Sequence, residues 1–355
     1  MSAMAENVQN ISCEVLKAFT SELFTAGGLS PADAAWYAET IVQANLWGID
    51  SHGIIRVPTY FERILKDAIN RHAQMQTIRK APAVTLIDAD GAGGPIAGKA
   101  AMEQAVSDAR THGIGICGVT NSNHFGAAAL YSRMAAEQGM IGISMTNVRP
   151  LIAAPGAKAA VAGNNPLSIS IPTYCDFPFM LDMSMSVVAG GKLHLAAAKG
   201  EKIPKDWAVD QNGIPTDDPK AALEGFLLPI GGYKGLGLAY AVDILSGVIT
   251  GGLFADGMRS MYHDPDVPSL TGHLFLAMDL SAWISPEEMR RRMLHYHAFI
   301  QSVPMANGAP PLIFPGELEQ RREQERRLSG IPVPLSTLET LQALKGRYAL
   351  KTDLT

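Results

Sequence analysis

The feature that most constrains the fold is an alternation of short apolar strands with helix-forming stretches, beginning near residue 83. Residues 83–88 and 114–120 read as strands, and residues 99–112 between them read as a helix. Further strands are predicted at 141–145, 167–171, 179–182 and 273–279. Because strands that alternate with helices are typical of layered α/β proteins, this pattern predicts an α/β fold.

Helices are also predicted near both ends of the chain. Ser30 can cap a helix that starts at Pro31, and Ser285 can cap a charged helix further along. The predicted helices cover 31–47, 57–69, 233–250, 286–302 and 335–347, of which 233–250 is almost wholly apolar and reads as buried.

Composition excludes several classes of protein. The 355 residues are 47% hydrophobic and 18% charged, so the chain can bury a sizeable core. The net charge is −5 and no basic run exceeds Arg290-Arg291-Arg292, so we expect no nucleic-acid partner. No signal-peptide pattern and no 18-residue apolar segment is present, so we expect a cytoplasmic protein without a membrane partner. The cysteines, at 13, 117 and 175, are too widely spaced to indicate a disulfide framework or a metal site.

The first candidate site is the motif Ser51-His52-Gly53-Ile54-Ile55-Arg56. Reduction of a 2-keto acid needs a proton for the carbonyl and an anchor for the carboxylate, and histidine and arginine supply these. Gly48 and Gly53 bracket the exit of the preceding helix, which predicts that His52 lies on a tight turn. The alternative is structural, with His52 closing a helix end and Arg56 in a surface ion pair.

A second histidine, His124, follows directly after the strand predicted at 114–120. Ligands of α/β proteins bind beyond the carboxyl ends of strands, so this position favours a catalytic or ligand-binding role for His124. The alternative is a structural histidine that satisfies loop carbonyls. His52 and His124 have no third ligand at suitable spacing, so no metal site is predicted.

A glycine-rich run, Gly91-Ala92-Gly93-Gly94-Pro95-Ile96, occupies the place of a dinucleotide-binding loop, after a strand and before a helix. The third glycine of a G-x-G-x-x-G pattern would fall on Ile96, and Pro95 lacks an amide for a pyrophosphate. The sequence therefore predicts that any nicotinamide cofactor is bound without an ordinary Rossmann site.

Two further clusters suit a cofactor. The run from Met180 to Ser186 ends a strand and offers the carboxylate of Asp182, small residues and hydroxyls, which could bind ribose or phosphate or orient a histidine. Asp182 could equally be a plain helix cap. Lys234 lies among glycines at the start of an apolar helix, where a charge is costly without an anionic partner, so a phosphate or carboxylate partner is expected. The alternative is a lysine that is merely solvated.

These motifs together resemble the type 2 malate/L-lactate dehydrogenase family, whose order they follow from about residue 50 to 320. The resemblance rests on Ser51-His52-Gly53-x-x-Arg56, Asn123-His124-x-Gly126, Gly163-x-Asn165-Pro166, Asp182-Met183-Ser184, the stretch 207–219, Gly232-x-Lys234-Gly235 and Pro315-Gly316-Glu317.

The resemblance implies an NAD- or NADP-dependent enzyme with a three-layer, mixed-sheet, non-Rossmann fold that forms homodimers. It implies an N-terminal helical segment (1–80), an α/β cofactor-binding region (81–289) and a C-terminal helical segment (290–355) that packs with the first. Val148 matches a cofactor-contacting site that is a small polar residue in one branch. The implied cofactor contacts are Val148, Met180, Asp182, Met183, Ser184, Ser186, Lys234, Pro315, Gly316 and Glu317.

The resemblance also assigns roles to the histidines and the arginine. His52 matches a proton donor in one branch and His124 a proton acceptor in another, and the sequence does not decide between them. Arg56 would hold the substrate carboxylate, with Ser51 and His124 also on the substrate and Asp182 orienting a histidine or a ribose. A 2′-phosphate of NADP could meet Arg149, Lys158 or Lys192.

We therefore predict an oxidoreductase that transfers a hydride between nicotinamide and a small 2-keto acid or L-2-hydroxy acid of the malate or lactate type. Two alternatives stay open. One is a reductase of cyclic imino acids with the same cofactor and carboxylate anchor. The other is a regulatory nucleotide-binding protein without catalysis, which the two histidines and Arg56 disfavour because a binding protein needs no proton donor.

Overall fold

A computed structural model describes residues 8–354 of the chain. The strands are β1 (Val8–Ile11), β2 (Gln76–Ala81), β3 (Val84–Asp88), β4 (Ile114–Ser122), β5 (Met140–Thr146), β6 (Ile152–Ala153), β7 (Ala160–Ala162), β8 (Leu167–Ile171), β9 (Phe179–Met183), β10 (Ala208–Val209), β11 (Phe226–Leu227), β12 (Thr271–Asp279) and β13 (Ile331–Pro334). The α-helices are α1 (Cys13–Ala26), α2 (Pro31–Leu46), α3 (Val57–Leu65), α4 (Gly94–His112), α5 (Ala129–Ala136), α6 (Gly190–Lys199), α7 (Pro219–Glu224), α8 (Tyr233–Asp243), α9 (Pro286–Gln301), α10 (Glu317–Ser329) and α11 (Leu335–Tyr348).

The central element is a seven-stranded mixed sheet in the order β2-β3-β4-β12-β5-β8-β9. Within it only β3 and β4 are parallel, and every other neighbouring pair is antiparallel. A Rossmann sheet is parallel throughout its nucleotide-binding half, so this topology is of a different kind. The predicted mixed-sheet, non-Rossmann α/β class is confirmed.

Both faces of this sheet are covered, which gives three layers. On β12 the buried Phe275 and Ala277 belong to the core that also contains Ala101 and Ala105 of α4. Leu274, which points to the other face, packs against the core beneath α8. This arrangement follows from the alternation of side chains along a strand.

The two ends of the chain share a third core. Helices α1, α2, α3 and α11 contribute buried apolar side chains to one cluster, and the rings of Phe61 and Tyr348 lie 4.8 Å apart within it. Strands β1 and β13 pair antiparallel beside them. The division into three segments at residues 80 and 289 stays a prediction, and α9 spans the second of these boundaries.

The glycine-rich run has a packing role. Helix α4 begins at Gly94 and not near residue 99 as predicted, so part of the run is the first helical turn. A Cβ atom at Gly94 would lie 2.3 Å from the carbonyl oxygen of Asn123 and 2.4 Å from that of His124. Glycine at this position lets α4 pack directly against the loop that carries His124.

The segment predicted as one buried helix over 233–250 differs most from expectation. It consists of α8 followed by a π-helical turn at Ile244–Val248, and only one face of it is buried. The side chains of Tyr233, Tyr240, Ile244 and Val248 recur at helical spacing and are all exposed, Tyr233 by 75%. We call these four residues the α8 stripe. Apolar side chains at this spacing are normally covered by another part of a protein, but among the described residues nothing covers the stripe.

Other predictions differ in extent only. The helix predicted over 57–69 ends at Leu65, whereas the capped helix that starts after Ser285 has the expected bounds within a residue. Helices α1, α5, α6, α7 and α10 were not predicted from the pattern. Helix α10 is polar on all sides, so it lacks the apolar face by which a helix is predicted from sequence.

Candidate active site

The His52 motif forms two consecutive 3-10 turns, Asp50–His52 and Ile54–Arg56, between α2 and α3. Asn45 holds them from behind, since its Nδ2 donates to Asp50 Oδ1 (2.6 Å) and its Oδ1 accepts from the amide of Ile54 (2.7 Å). A Cβ atom at Gly53 would lie 2.2 Å from Asn45 Oδ1. The glycine of the motif is therefore explained by the close approach of Asn45.

The fold brings the two candidate histidines together. The rings of His52, on the first turn, and His124, after β4, are nearly parallel with centroids 5.7 Å apart. Burial lowers the pKa of His52 to about 4, with a further contribution from Arg56. Burial also lowers the pKa of His124 well below its usual value, and the nearby cations and histidines add to this. Both rings are therefore neutral near pH 7 in the absence of an anion.

The hydrogen bonds of His124 indicate its tautomer. Its Nδ1 lies 3.3 Å from the amide nitrogen of Gly126 and 2.6 Å from the hydroxyl of Tyr60. A backbone amide can only donate, so we assign Nδ1 as the acceptor and place the proton of the neutral ring on Nε2. The Nδ1 of His52 has only the hydroxyl of Ser51 (2.9 Å), which can donate or accept. His52 is thus free to change tautomer, whereas His124 is held in one.

Arg56 lies beside the histidines without a carboxylate partner among residues 8–354. Its Nε donates to the carbonyl of Ser51 (2.6 Å), and Nη1 donates to the hydroxyl of Tyr262, whose ring centroid is 5.3 Å from the guanidinium carbon. These bonds orient the guanidinium and leave N–H groups for an anion. The structure does not place Arg56 in a surface ion pair, and that alternative is wrong.

A cleft of about 660 Å³, measured out to its open mouth, adjoins these groups. His124 and Tyr262 line it together with two more cations, Arg149 and Arg259. Arg259 donates to the carbonyl of Pro268 (2.9 Å), whereas Arg149 is exposed and makes no ion pair within the described chain. Val148 also lines the cleft, and its amide donates to the side chain of Asn165 (3.0 Å).

Asp182 contacts neither histidine. Its Oδ2 accepts from the amide of Ala129 (3.1 Å) at the start of α5, as a capping residue does. Desolvation raises the pKa of Asp182 to about 6, against the opposing effect of that amide. The prediction that Asp182 orients a histidine therefore has no support in the geometry, and a role towards ribose stays a prediction.

The remaining cofactor candidates lie on three neighbouring segments. Backbone bonds from Val187 to Leu228 (3.0 Å) and from Ile230 to Met185 (2.8 Å) bring the run that contains Ser184 beside the loop that leads into α8. Lys234 follows on the first turn of α8, exposed and without an ion pair among the described residues. An ammonium without an ion pair suits a phosphate group, and the hydroxyl of Ser184 with the carboxylate of Asp182 suits a ribose.

Several other candidates are engaged inside the protein. Ser186 is buried and donates to the carbonyl of Val188 (2.9 Å), with Ser184 3.2 Å away, while Met183 is only half-buried. Met180 is a core residue whose amide donates to the carbonyl of Pro315 (3.2 Å).

The turn at 315–317 is shaped by close backbone contact. Gly316 has φ +97°, and a Cβ atom there would lie 2.3 Å from the carbonyl of Pro178. Glu317 is nearly buried, accepts from the amide of Phe314 (3.1 Å) and pairs with Arg321. The turn is thus fixed against β9 by its own chain.

Neither a metal site nor a membrane span emerges from residues 8–354. No group of three histidine, cysteine, aspartate or glutamate side chains there could hold a metal ion, and no helix is long and apolar enough to cross a membrane. The three cysteines are unpaired thiols.

Sequence reasoning missed three residues of the site. Tyr60, whose hydroxyl contacts His124, lies four residues after Arg56. Residues at this spacing are neighbours on a helix, so the sequence could have indicated that Tyr60 lies near the site. No sequence pattern indicated Asn45, whose close approach requires Gly53, or Tyr262, whose hydroxyl accepts from Arg56. Tyr262 is more than 200 residues from Arg56 in the chain, so only the tertiary structure brings them together.

The fold and site define a class: an α/β enzyme that pairs neutral histidines with an unpaired arginine beside a cleft. The malate/L-lactate dehydrogenase family model matches residues 11–342. A malate dehydrogenase of Pyrococcus abyssi is 36% identical over 98% of this chain and 97% of its own. A delta(1)-pyrroline-2-carboxylate reductase of Ancylobacter novellus is 30% identical over 92% and 94%. The structure of sulfolactate dehydrogenase from Methanocaldococcus jannaschii superimposes with a TM-score of 0.91 at 34% identity, covering 96% of this chain and 98% of that one.

The chain belongs to the malate/L-lactate dehydrogenase family. This confirms the resemblance stated from the motifs and the predicted enzyme class, an NAD- or NADP-dependent dehydrogenase.

Proposed function

We propose that this enzyme interconverts a small 2-keto acid and the corresponding L-2-hydroxy acid. The observation that carries the proposal is the placement of two neutral histidines, 5.7 Å apart, next to an arginine without a carboxylate partner. An arginine held by neutral groups, with N–H donors left over, is suited to a carboxylate ligand.

The reduced nicotinamide would supply the hydride to C2 of the keto acid. The segment at 183–186, Lys234 and the turn 315–317 would hold the cofactor, together with the Val148 loop, while Asp182 would face the ribose. Support comes from the exposed ammonium of Lys234, which has no ion pair among the described residues, and from the backbone bonds that join 185–187 to the loop at 228–230 before α8. Of the candidates, Met180 and Ser186 would act by shaping the backbone, since their side chains are buried.

The chain's own groups would then perform the proton transfer. Arg56 would fix the substrate carboxylate with a two-point hydrogen bond, and Ser51 would support it from the same turn. The Nε2–H of His124 would donate to the keto oxygen, because its Nδ1 is occupied by Tyr60 and Gly126. His52 would first take up a proton from solvent, and its imidazolium form would give that proton to the alkoxide oxygen as the hydride reaches C2, which leaves the ring neutral.

Substrate binding would also prepare His52 for this role. The cationic charge of Arg56 contributes to the low pKa of His52. Burial is the larger cause of the low pKa. A bound carboxylate would offset the charge of Arg56 and so raise the pKa of the ring, which would favour the protonated form of His52.

A second acidic group on the substrate is favoured by Arg149. This exposed cation lines the same cleft as His124 and Tyr262 and has no ion pair within residues 8–354. An adenosine 2′-phosphate would lie at the far end of the cofactor from the reacting carbon, so a cation in the substrate cleft fits a dicarboxylate better. We therefore propose a malate-like substrate in preference to a lactate-like one.

The α8 stripe supports a homodimer. Four apolar side chains at helical spacing, exposed in a single chain, form a surface of the kind that a second subunit covers. A cytoplasmic location and the absence of a nucleic-acid partner stay predictions.

The test is a substrate panel. NADH or NADPH absorbance is followed with oxaloacetate, pyruvate, a branched 2-keto acid and piperideine-2-carboxylate. The proposal expects the highest kcat/KM with oxaloacetate, and a selective loss with that substrate in Arg149→Met. Preference for the cyclic imine would establish the reductase of imino acids instead, and cofactor binding without turnover would favour a regulatory protein.

A further inference from the structure

We propose that Arg326, near the end of α10, is a positioning residue for His52 and acts through Asp50. Both Nη atoms of Arg326 donate to the Asp50 carboxylate, Nη1 to Oδ1 at 2.6 Å and Nη2 to Oδ2 at 3.0 Å. Nη1 also donates to the carbonyl of Asn45. Asp50 is the first residue of the 3-10 turn that ends at His52, so its carboxylate fixes the origin of that turn.

The bond is of a specific type. Two parallel N–H donors to the two oxygens of one carboxylate fix an angle as well as a distance, which a single ammonium contact does not. The side chain of Arg326 is only 16% exposed, so solvent competes weakly for its donors, whereas the side chain of Asp50 is 46% exposed. Asp50 also accepts from Asn45, and thus the turn is held by one connected set of bonds.

A second bond from the same helix strengthens this anchor. Glu323, one turn earlier on α10, is nearly buried and accepts from the indole of Trp47 (2.9 Å), the residue that ends α2. Glu323 also binds Arg327 at 2.6 Å. Helix α10 therefore fixes the end of α2 and the start of the His52 turn together.

The other end of α10 explains why this anchoring matters for the reaction. The helix begins directly after the turn at Pro315 and Gly316, which is fixed against β9 and is a proposed cofactor contact. One 13-residue helix, about 20 Å long, thus connects that turn to the turn of the proposed proton donor. Arg326 would keep His52 in register with the cofactor, and an error of about 1 Å in such a register can cost about 100-fold in rate.

The inference rests on the proposed function, since it assigns His52 to proton transfer. The test compares Arg326→Met, Arg326→Lys and Asp50→Asn with the unaltered enzyme. We expect Arg326→Met to lower kcat about 10- to 100-fold, with an unchanged Kd for NADH or NADPH, a larger solvent deuterium isotope effect on kcat, and partial retention of rate in Arg326→Lys.

The matched control is Arg71→Met. Arg71 donates through two nitrogens to Asp67 (2.6 and 3.1 Å) in the same N-terminal part of the chain, but it binds no residue of the site. This variant should keep kcat within twofold of the unaltered enzyme, since the ion pair that it loses, in which both nitrogens donate to one oxygen of Asp67, has no connection to the His52 turn.

A measurement without turnover separates this inference from the proposed function. Amide hydrogen exchange of a peptide covering residues 49–56 should become faster in Arg326→Met and in Asp50→Asn but not in Arg71→Met. An enzyme inactive with every keto acid would refute the proposed function, and the exchange result would still decide the anchoring. Unchanged exchange with kcat within twofold of the unaltered enzyme, or a fall in kcat only in step with cofactor affinity and Tm, would overturn the inference.

Discussion

The turn that carries His52 and the helix that follows Lys234 are built in opposite ways. The His52 turn has internal partners throughout: Asn45 and Arg326 hold it from behind, and Arg56 donates to the carbonyl of Ser51. The region of α8 presents the stripe of Tyr233, Tyr240, Ile244 and Val248 to solvent, next to a lysine without an ion pair in the described chain.

The difference teaches which half of the site a single chain can complete. On the substrate side, the groups that orient the histidines and Arg56 come from the same chain and are already in place, which is the preorganisation that catalysis needs. On the side of α8, the apolar stripe is exposed and the ammonium of Lys234 has no ion pair among the described residues. We infer that the cofactor and a second subunit complete that half.

The largest effect is expected on the substrate side, where replacement of the histidines should lower kcat. His52→Asn should lower kcat by about 100- to 10,000-fold because a general acid is lost. His124→Asn should be less severe, since a neutral hydrogen-bond donor is replaced by another. Steady-state kinetics of both variants measures this, and a greater loss in His124→Asn would exchange the two roles. Full activity in both would remove the histidines from the mechanism.

Arg56→Lys tests the carboxylate anchor. The change keeps the charge but loses the two-point hydrogen bond, so kcat/KM for the keto acid should fall about 100-fold, with a higher KM and a lower kcat. Tyr262→Phe, which removes a hydroxyl that only orients Arg56, should give a smaller loss in the same direction. Kinetics indistinguishable from those of the unaltered enzyme would exclude Arg56 from the substrate site.

The α8 stripe can be broken with a single charge. Ile244→Arg places a cation in the proposed interface and should raise the dimer dissociation constant at least tenfold, since an apolar contact worth roughly 1.5–3 kcal/mol is lost. Sedimentation of dilute samples measures the change. Ile214→Arg is the control, because Ile214 is 60% exposed but lies outside the stripe. A chain that is monomeric before any substitution would contradict the proposal.

The smallest effect at neutral pH concerns stability, which at lower pH depends on a histidine beneath the substrate half. His273 is fully buried between Thr146 (2.7 Å) and Ser122 (2.9 Å), and burial lowers its pKa to about 3. Below about pH 6.5 the imidazole of His273 is protonated in the unfolded chain but stays neutral in the folded one. The free energy of unfolding should therefore fall as pH falls from about 6.5 towards 3.

Denaturant titrations at several pH values measure this dependence. His273→Gln should make the dependence shallower without abolishing it, because burial also lowers the pKa values of His52 and His124. Replacement of the exposed His72 by Gln should leave the dependence unchanged. The same slope in both variants would mean that His273 does not carry the effect.

Much of the fold was predictable because its signals are local. Strands β3, β4, β5, β8, β9 and β12 and the cap at Ser285 follow from residues that are neighbours in the chain. The helix α10 was not predicted, because it packs through Glu323 and Arg326 and lacks an apolar face. The burial predicted for 233–250 holds for one face only, with Leu236, Ala239 and Val242 in the core. The other face is exposed in the single chain, because an apolar sequence indicates that a surface is covered but not what covers it.

The sequence by itself determined the fold class, the family and the residue types of the site, because strand alternation and motif spacing are properties of the chain. Only the tertiary structure decided that His52 and His124 share one site, that Asp182 caps α5, and that Arg56 is oriented by Tyr262. These are contacts between residues tens to hundreds of positions apart. Their geometry depends on how the helices and the sheet pack, and no local pattern in the sequence encodes that.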